Sequence, residues 1–214
     1  MIKINFNKSV SFDIDIQNGF TYNCPEELPV CEADEIVAEI NKSATKTKYR
    51  YASKDAHPSN AKWNATDKLP QYTNVGLPNV DIRWNQHCVV GTYGFELISG
   101  LPKMTDYDFF IYKGVERDMH PYSPCYHDLG KKISTGIIEK AKQDHIRTFI
   151  LNGLALNYCL GEGAKDLKKA GFRVIVNLGA TRGIGDEKMI KNYINELEND
   201  GIEIVNSANE IQLI

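Results

Sequence analysis

The sequence lacks any apolar run long enough to cross a bilayer, which takes roughly 20 residues. It has no Lys/Arg-rich run either. A formal net charge of −3 and a pI near 6.0 leave no basic footprint for nucleic acid. Cysteine is sparse and unpatterned: Cys24, Cys31, Cys88, Cys125 and Cys159 are odd in number, and no two are spaced Cys-x-x-Cys. That argues against a disulfide scaffold and for free thiols in a reducing cytoplasm. The opening stretch "MIKINFNKSVSFDIDI" has no uninterrupted apolar core of the kind a secretory leader needs. Internal repeats and low-complexity segments are also missing. The expected partner is therefore a small molecule, with no nucleic acid and no membrane; homo-oligomerisation is left open.

What is present suits one domain spanning residues 1–214, since 42% of the chain is hydrophobic and 214 residues bury a sizeable core. Strand-like and helix-like segments alternate. "VSFDIDI", "KYRYASK", "YDFFIYKG", "RTFILNG", "FRVIV" and "IEIV" read as strands. "EADEIVAEINKS", "KKISTGIIEKAKQD", "LNYCLGEGAKDLKKAG" and "DEKMIKNYINELENDG" read as helices, the third closed by Gly171. Such alternation predicts β-α-β units with right-handed crossovers. The fold class is α/β, a doubly wound, mostly parallel sheet with helices on both faces. A long Pro-, Asn- and Gly-rich insertion at about residues 55–105 interrupts the pattern.

In such sheets, chemistry collects beyond the carboxyl ends of the strands. Asp15 ends the first strand, Asp55 and His57 follow the second, Lys113 ends the third, and Cys159 opens the helix after the fourth. A lone cysteine is usually a small buried hydrophobe. At a helix start beside a lysine and an aspartate it instead reads as an activated thiol: Cys159 the nucleophile, Asp15 the base, Lys113 the cation. Asp55 and His57, with His87 from "WNQHCVVGT", make a carboxylate and two imidazoles, a set suited to Zn²⁺, Mn²⁺ or Fe²⁺. Asp-x-His alone is a weak motif, and a capped surface loop is its plain reading. Trp84 is either core or a stacking platform. His120, His127 and His145 sit in polar surroundings and read as surface residues.

Taken in order, "DIQNGF", "DAHP", "WNQHCVVGT", "YKG" and "GLALNYC" resemble the nicotinamidase/pyrazinamidase branch of the isochorismatase-like cysteine hydrolases. The resemblance runs over about residues 9–180. It implies a six-stranded, Rossmann-like three-layer fold and a catalytic triad of Asp15, Lys113 and Cys159. It implies one divalent metal ion, Zn²⁺ by preference, on Asp55, His57 and His87. Phe20 and Trp84 would grip a pyridine ring, with Leu154 and Tyr158 completing the substrate pocket. Backbone N–H groups of Ala155 and Cys159 would form the oxyanion hole, next to a cis peptide at Leu154–Ala155. The implied activity is hydrolysis of nicotinamide, and of pyrazinamide too, to the acid and ammonia through a thioester, in NAD salvage. The chain departs from the pattern at Ala61, where many members carry a further histidine, and at Asp13, where the strand is usually aliphatic.

Rival readings are weaker. "NLGATRGIG" has the glycine spacing of a dinucleotide turn, but no Tyr-x-x-x-Lys accompanies it anywhere. A related cysteine hydrolase acting on isochorismate or another small amide would not need the Asp-x-His…His set. An iron oxygenase would not need the Cys–Lys–Asp set. A non-catalytic binding protein on the same fold would need neither. Asp13 is expected below the site, in need of a partner that the sequence does not name.

Overall fold

The computed structural model describes residues 1–214. Six strands form the central sheet: β2 (Ser9–Ile14), β3 (Tyr49–Asp55), β6 (Phe109–Lys113), β7 (Thr148–Gly153), β8 (Arg173–Thr181) and β9 (Glu203–Val205). They lie in the order β6-β3-β2-β7-β8-β9, and every pairing is parallel. The chain starts at the centre, winds outward through β3 and β6, then crosses back to β7. That reversal makes the β2/β7 boundary a topological switch point, where open α/β sheets form their clefts.

Period-two alternation assigns the two faces. Val10, Phe12 and Ile14 of β2, Phe149 and Leu151 of β7, and Val174 and Val176 of β8 join one core. Over it lie α2 (Ile137–Gln143), α3 (Gly161–Lys169) and α4 (Glu187–Asn199). The opposite face is covered by α1 (Val37–Ala44), whose Ile40 packs with Ile16, Phe20 and Leu154. Farther along that face, Ile150 and Ile175 pack under a small parallel pair, β1 (Ile2–Ile4) with β10 (Ile211–Leu213). No helix is long and apolar enough to cross a membrane.

Several elements differ from the sequence expectation. The helix expected over "KKISTGIIEKAKQD" is confined to Ile137–Gln143. Upstream, the Asp128 carboxylate accepts from the N–H groups of Lys132 and Ile133, and Gly136 sits at φ +90°, so the chain turns instead of coiling. "FRVIV" is the first part of a nine-residue strand that runs through Asn177–Thr181. The first five residues of "NLGATRGIG" are thus strand, not a phosphate-binding turn. The segment after β7 makes a wide turn at Leu156–Leu160, kinked at Tyr158, before α3 begins at Gly161. The insertion carries one hairpin, β4 (Asn74–Leu77) with β5 (Val80–Ile82), and is otherwise loop.

Candidate active site

Four strands deliver the reactive side chains to one edge of the sheet. Asp15 follows β2 in a left-handed conformation, φ +53°, which aspartate tolerates better than most residues. Its Oδ1 accepts from Ser53 Oγ at 2.7 Å, and its Oδ2 lies 3.1 Å from Lys113 Nζ. Gln17 ties the ends of β2 and β3 together: its amide donates to Asp55 O at 2.8 Å and its carbonyl accepts from Asp55 N at 2.8 Å. Asp55 is the last residue of β3 and stands in register with Lys113, the last of β6. The two side chains form an ion pair. Lys113 also donates to Cys159 Sγ at 3.4 Å. One carboxylate oxygen each from Asp15 and Asp55 and the Cys159 sulfur lie within 4.8 Å of one another. All four side chains are buried.

The charges in this cluster set one another. Burial alone would strip Lys113 of its proton, but Asp15 and Asp55 outweigh it and hold the ammonium well above the usual lysine range. Burial would also raise Asp55, but Lys113 and then His57 hold it well below the usual carboxylate range. Asp15 is raised to about 6, by burial against the opposing field of Lys113. Burial drives the Cys159 thiol well above its usual range, again with Lys113 opposing. A buried thiol of this kind stays protonated at neutral pH unless a base takes its proton. The adjacent base with a matching range is Asp15.

Beside the thiol lies a group of imidazoles. His57 Nδ1 donates to Gly114 O at 3.0 Å, which leaves Nε2 as the lone-pair nitrogen, 3.5 Å from Asp55 Oδ1. His87 Nδ1 donates to Asn85 O at 2.6 Å, and its Nε2 lies 3.9 Å from Asp55 Oδ2. Gly114 is needed where it stands: φ is +71°, and a Cβ there would come within 2.5 Å of the His57 ring. Burial, and then His57, lowers His87 to about 3, so its ring is neutral and able to ligate. His120, expected at the surface, is buried within this group. One ring nitrogen each from His57, His87 and His120 lie within 4.8 Å of one another. His57 Nε2 has no hydrogen-bond partner. Orphaned buried nitrogens next to a buried carboxylate are the donor set of a divalent metal. Of the other two histidines, His145 is exposed and His127 half-buried.

A narrow cleft opens above the sulfur. Phe20, Trp84, Tyr158, Ala155 and Cys159 line it, with Asp55, His87 and His120 on one side. Trp84 meets Tyr158 edge-on at 5.0 Å, and its Nε1 donates to Tyr122 Oη at 3.1 Å. Tyr122 in turn donates to Asp81 at 2.9 Å. The walls are therefore aromatic and braced by hydrogen bonds, a lining suited to an apolar ring. The Leu154–Ala155 peptide is cis, and the Ala155 N–H makes no hydrogen bond within the protein. Leu154 itself lies outside the cleft, fully buried in the core beside α1. Tyr122 and His120 carried no sequence signal. Both lie on the connection after β6, which the motif reading left at Lys113 and Gly114.

Asp13 lies one repeat below Asp15 and is also buried. Its partner is Arg50: Nε and Nη2 both approach Asp13 Oδ2 at 2.7 Å. Tyr107 Oη donates to the same oxygen at 3.2 Å, and Asn152 Nδ2 approaches Oδ1 at 3.3 Å.

No protein-family model matches the chain. Individual relatives do. The nicotinamidase of Acinetobacter baylyi is 30% identical over 199 residues, covering 92% of this chain and 91% of that protein. Among solved structures, the Acinetobacter baumanii nicotinamidase/pyrazinamidase superposes with a TM-score of 0.86 at 25% identity, covering 95% of this chain and 98% of that one. The pyrazinamidase of Pyrococcus horikoshii, solved in complex with zinc, gives 0.74 at 26% identity over 92% and 98%. With a relative at that identity matched over nearly its whole length, the chain belongs to the nicotinamidase family, and is an amidohydrolase.

Proposed function

We propose that the protein hydrolyses nicotinamide, and the related pyrazinamide, to the carboxylic acid and ammonia with Cys159 as nucleophile. The observation that carries this reading is the meeting of the Cys159 sulfur, the Asp15 carboxylate and the Lys113 ammonium beneath a cleft walled by Phe20, Trp84 and Tyr158. Asp15 takes the thiol proton as the sulfur attacks the amide carbon. The free N–H of Ala155, with that of Cys159, faces the oxyanion that develops. Asp15 returns the proton to the departing ammonia, leaving a thioester. It then takes a proton from water, whose oxygen attacks the acyl carbon; the C–S bond breaks, the acid leaves, and Asp15 returns that proton to the Cys159 sulfur. Lys113 holds Asp15 in place and offsets the negative charge of the thiolate. Phe20, Trp84 and Tyr158 fix the ring so that the amide cannot turn away from the sulfur.

Asp55, His57 and His87 are the residues that would hold a divalent cation, zinc by preference. When bound, it supplies a Lewis-acidic anchor for a ring nitrogen at the side of the cleft. The insertion at residues 55–105, within a single domain spanning the chain, then serves as the wall that carries His57, Trp84 and His87. The product suits NAD salvage, and five free thiols suit a reducing cytoplasm.

The test is ammonia release from a panel of small aromatic and aliphatic amides, before and after chelation and with single metals restored. Nicotinamide and pyrazinamide should be turned over and Cys159→Ala should be inactive. Full turnover by Cys159→Ala would remove the nucleophile from this reading. Preference for an aliphatic amide would replace the substrate.

A further inference from the structure

Asp55, His57 and His87 offer the candidate cation two imidazoles and one carboxylate, and position 61 beside them is an alanine that offers no donor. The fold supplies an imidazole from elsewhere. We infer that His120 is a fourth protein ligand, so that the cation is held by three imidazoles and one carboxylate, from His57, His87, His120 and Asp55.

Three observations carry this. First, both ring nitrogens of His120 are buried and neither has a hydrogen-bond partner. Buried imidazole nitrogens are normally paired, so a ring with both unpaired has its lone pair available to a cation. Secondly, its donor atom lies within 4.8 Å of those of His57 and His87. Those two rings each donate Nδ1–H to a carbonyl and keep Nε2 free, the usual outer bracing of ligating histidines. Thirdly, the backbone of His120 is pinned. Its N–H donates to Asn79 O at 2.9 Å, and Trp63 Nε1 donates to the carbonyl of Met119 just before it at 3.2 Å. Trp63 and Ala61 belong to one buried cluster, and the Trp63 ring meets the His120 ring at 4.4 Å. The wall with an alanine at position 61 thus seats an imidazole from the segment after β6.

The consequence for the site is a cation with fewer open positions. Four protein ligands leave two sites on a six-coordinate ion, enough for one ring nitrogen and one water, where three ligands leave three. Three imidazoles and one carboxylate also favour zinc, iron or cobalt over the all-oxygen preference of magnesium or calcium.

This inference rests on the metal part of the proposed function, and its test separates the two. Zinc-loaded full-length protein is measured by X-ray absorption at the zinc edge, and zinc affinity by competition with a chromophoric chelator. Wild type should show three imidazoles. His120→Ala should show two and bind zinc at least about 100-fold more weakly, more than loss of an outer partner usually costs. Two imidazoles in wild type, or unchanged affinity in His120→Ala, overturns the inference and leaves His120 a stacking ring only. The wild-type spectrum decides the matter even if the variant does not fold. Nicotinamide hydrolysis is assayed on the same samples. Three imidazoles without amidase activity sinks the substrate assignment and keeps the ligand. Amidase activity with two imidazoles does the reverse.

Discussion

Asp13 and Asp15 are the same residue type, one inside β2 and one just past its end, and both are buried, yet their surroundings set them apart. Asp15 faces Lys113 and a thiol, and at about 6 its carboxyl can hold or release a proton near neutrality. As the proposed base it must be ionised, so kcat/KM should fall with unit slope as pH drops through the Asp15 range. A cation beside Asp55 draws that limb lower, so it should lie at or below about pH 6; a limb near pH 7.5 would rule Asp15 out as the group responsible. Asp15→Asn should cut kcat by about 10²- to 10⁴-fold, the usual worth of a positioned base. Asp13 instead faces a guanidinium. Burial raises its carboxyl, and Arg50, Tyr107 and Asn152 pull it back. Arg50→Ala would leave a buried carboxylate unpaired and should cost about 3 kcal/mol of stability. The sign with pH follows from the direction of the shift. Without Arg50 the folded state favours protonated Asp13 more strongly, so its folded pKa lies further above the unfolded value. Stability is then lost as pH rises through that range, and urea melts should show a larger deficit at pH 8 than at pH 5.

Four strands, β2, β3, β6 and β7, contribute a last residue or residues beyond it. Asp55 and Lys113 are paired by the parallel register of β3 and β6, so the ion pair is a property of the sheet. Gln17 bonds both backbone groups of Asp55 and locks the end of β2 to that of β3. The end of β6 is the tightest point. Gly114 turns the chain at φ +71°, offers its carbonyl to His57 and leaves no room for a side chain. Gly114→Ala should push the His57 ring aside. The expected result is zinc binding weakened by about tenfold or more, with near-wild-type secondary structure by circular dichroism. Unchanged zinc affinity would mean that the His57 ring is not a ligand.

The whole molecule divides the labour between a rigid sheet and a looped wall. The sheet edge holds Asp15, Asp55, Lys113 and Cys159; the insertion and the connection after β6 bring His57, Trp84, His87, His120 and Tyr122 over them. A cation bridging the two should therefore stabilise the fold as well as the site. With zinc at about 1,000 times its dissociation constant the gain is about 4 kcal/mol. Thermal melts should rise on zinc addition and fall on chelation, and no change in either direction would count against a metal held across both parts.

Residue order alone specified much of this. Alternation sets Phe12, Ile14 and Ile16 on one face and Asp13 and Asp15 on the other; Phe12 and Ile14 follow it, but Ile16 packs on the α1 side because the chain leaves its extended course at Asp15. The rule that α/β sheets react at their carboxyl ends picked out Asp15, Asp55, His57, Lys113 and Cys159 before any coordinates, because those positions depend only on local periodicity and parallel winding. The tertiary structure decided what long-range packing decides. Arg50 reaches Asp13 across 37 positions and Tyr107 across 94, with no pattern linking them in sequence. His120 lies on a loop with no periodic signal and enters the site because Trp63 and Asn79 hold its backbone there. The expected helix over "KKISTGIIEKAKQD" shortened for a local reason instead: the carboxylate of Asp128, four and five positions upstream, claimed its first amides. Strand ends are encoded locally; which side chains meet above them is set by loops whose course only the folded chain defines.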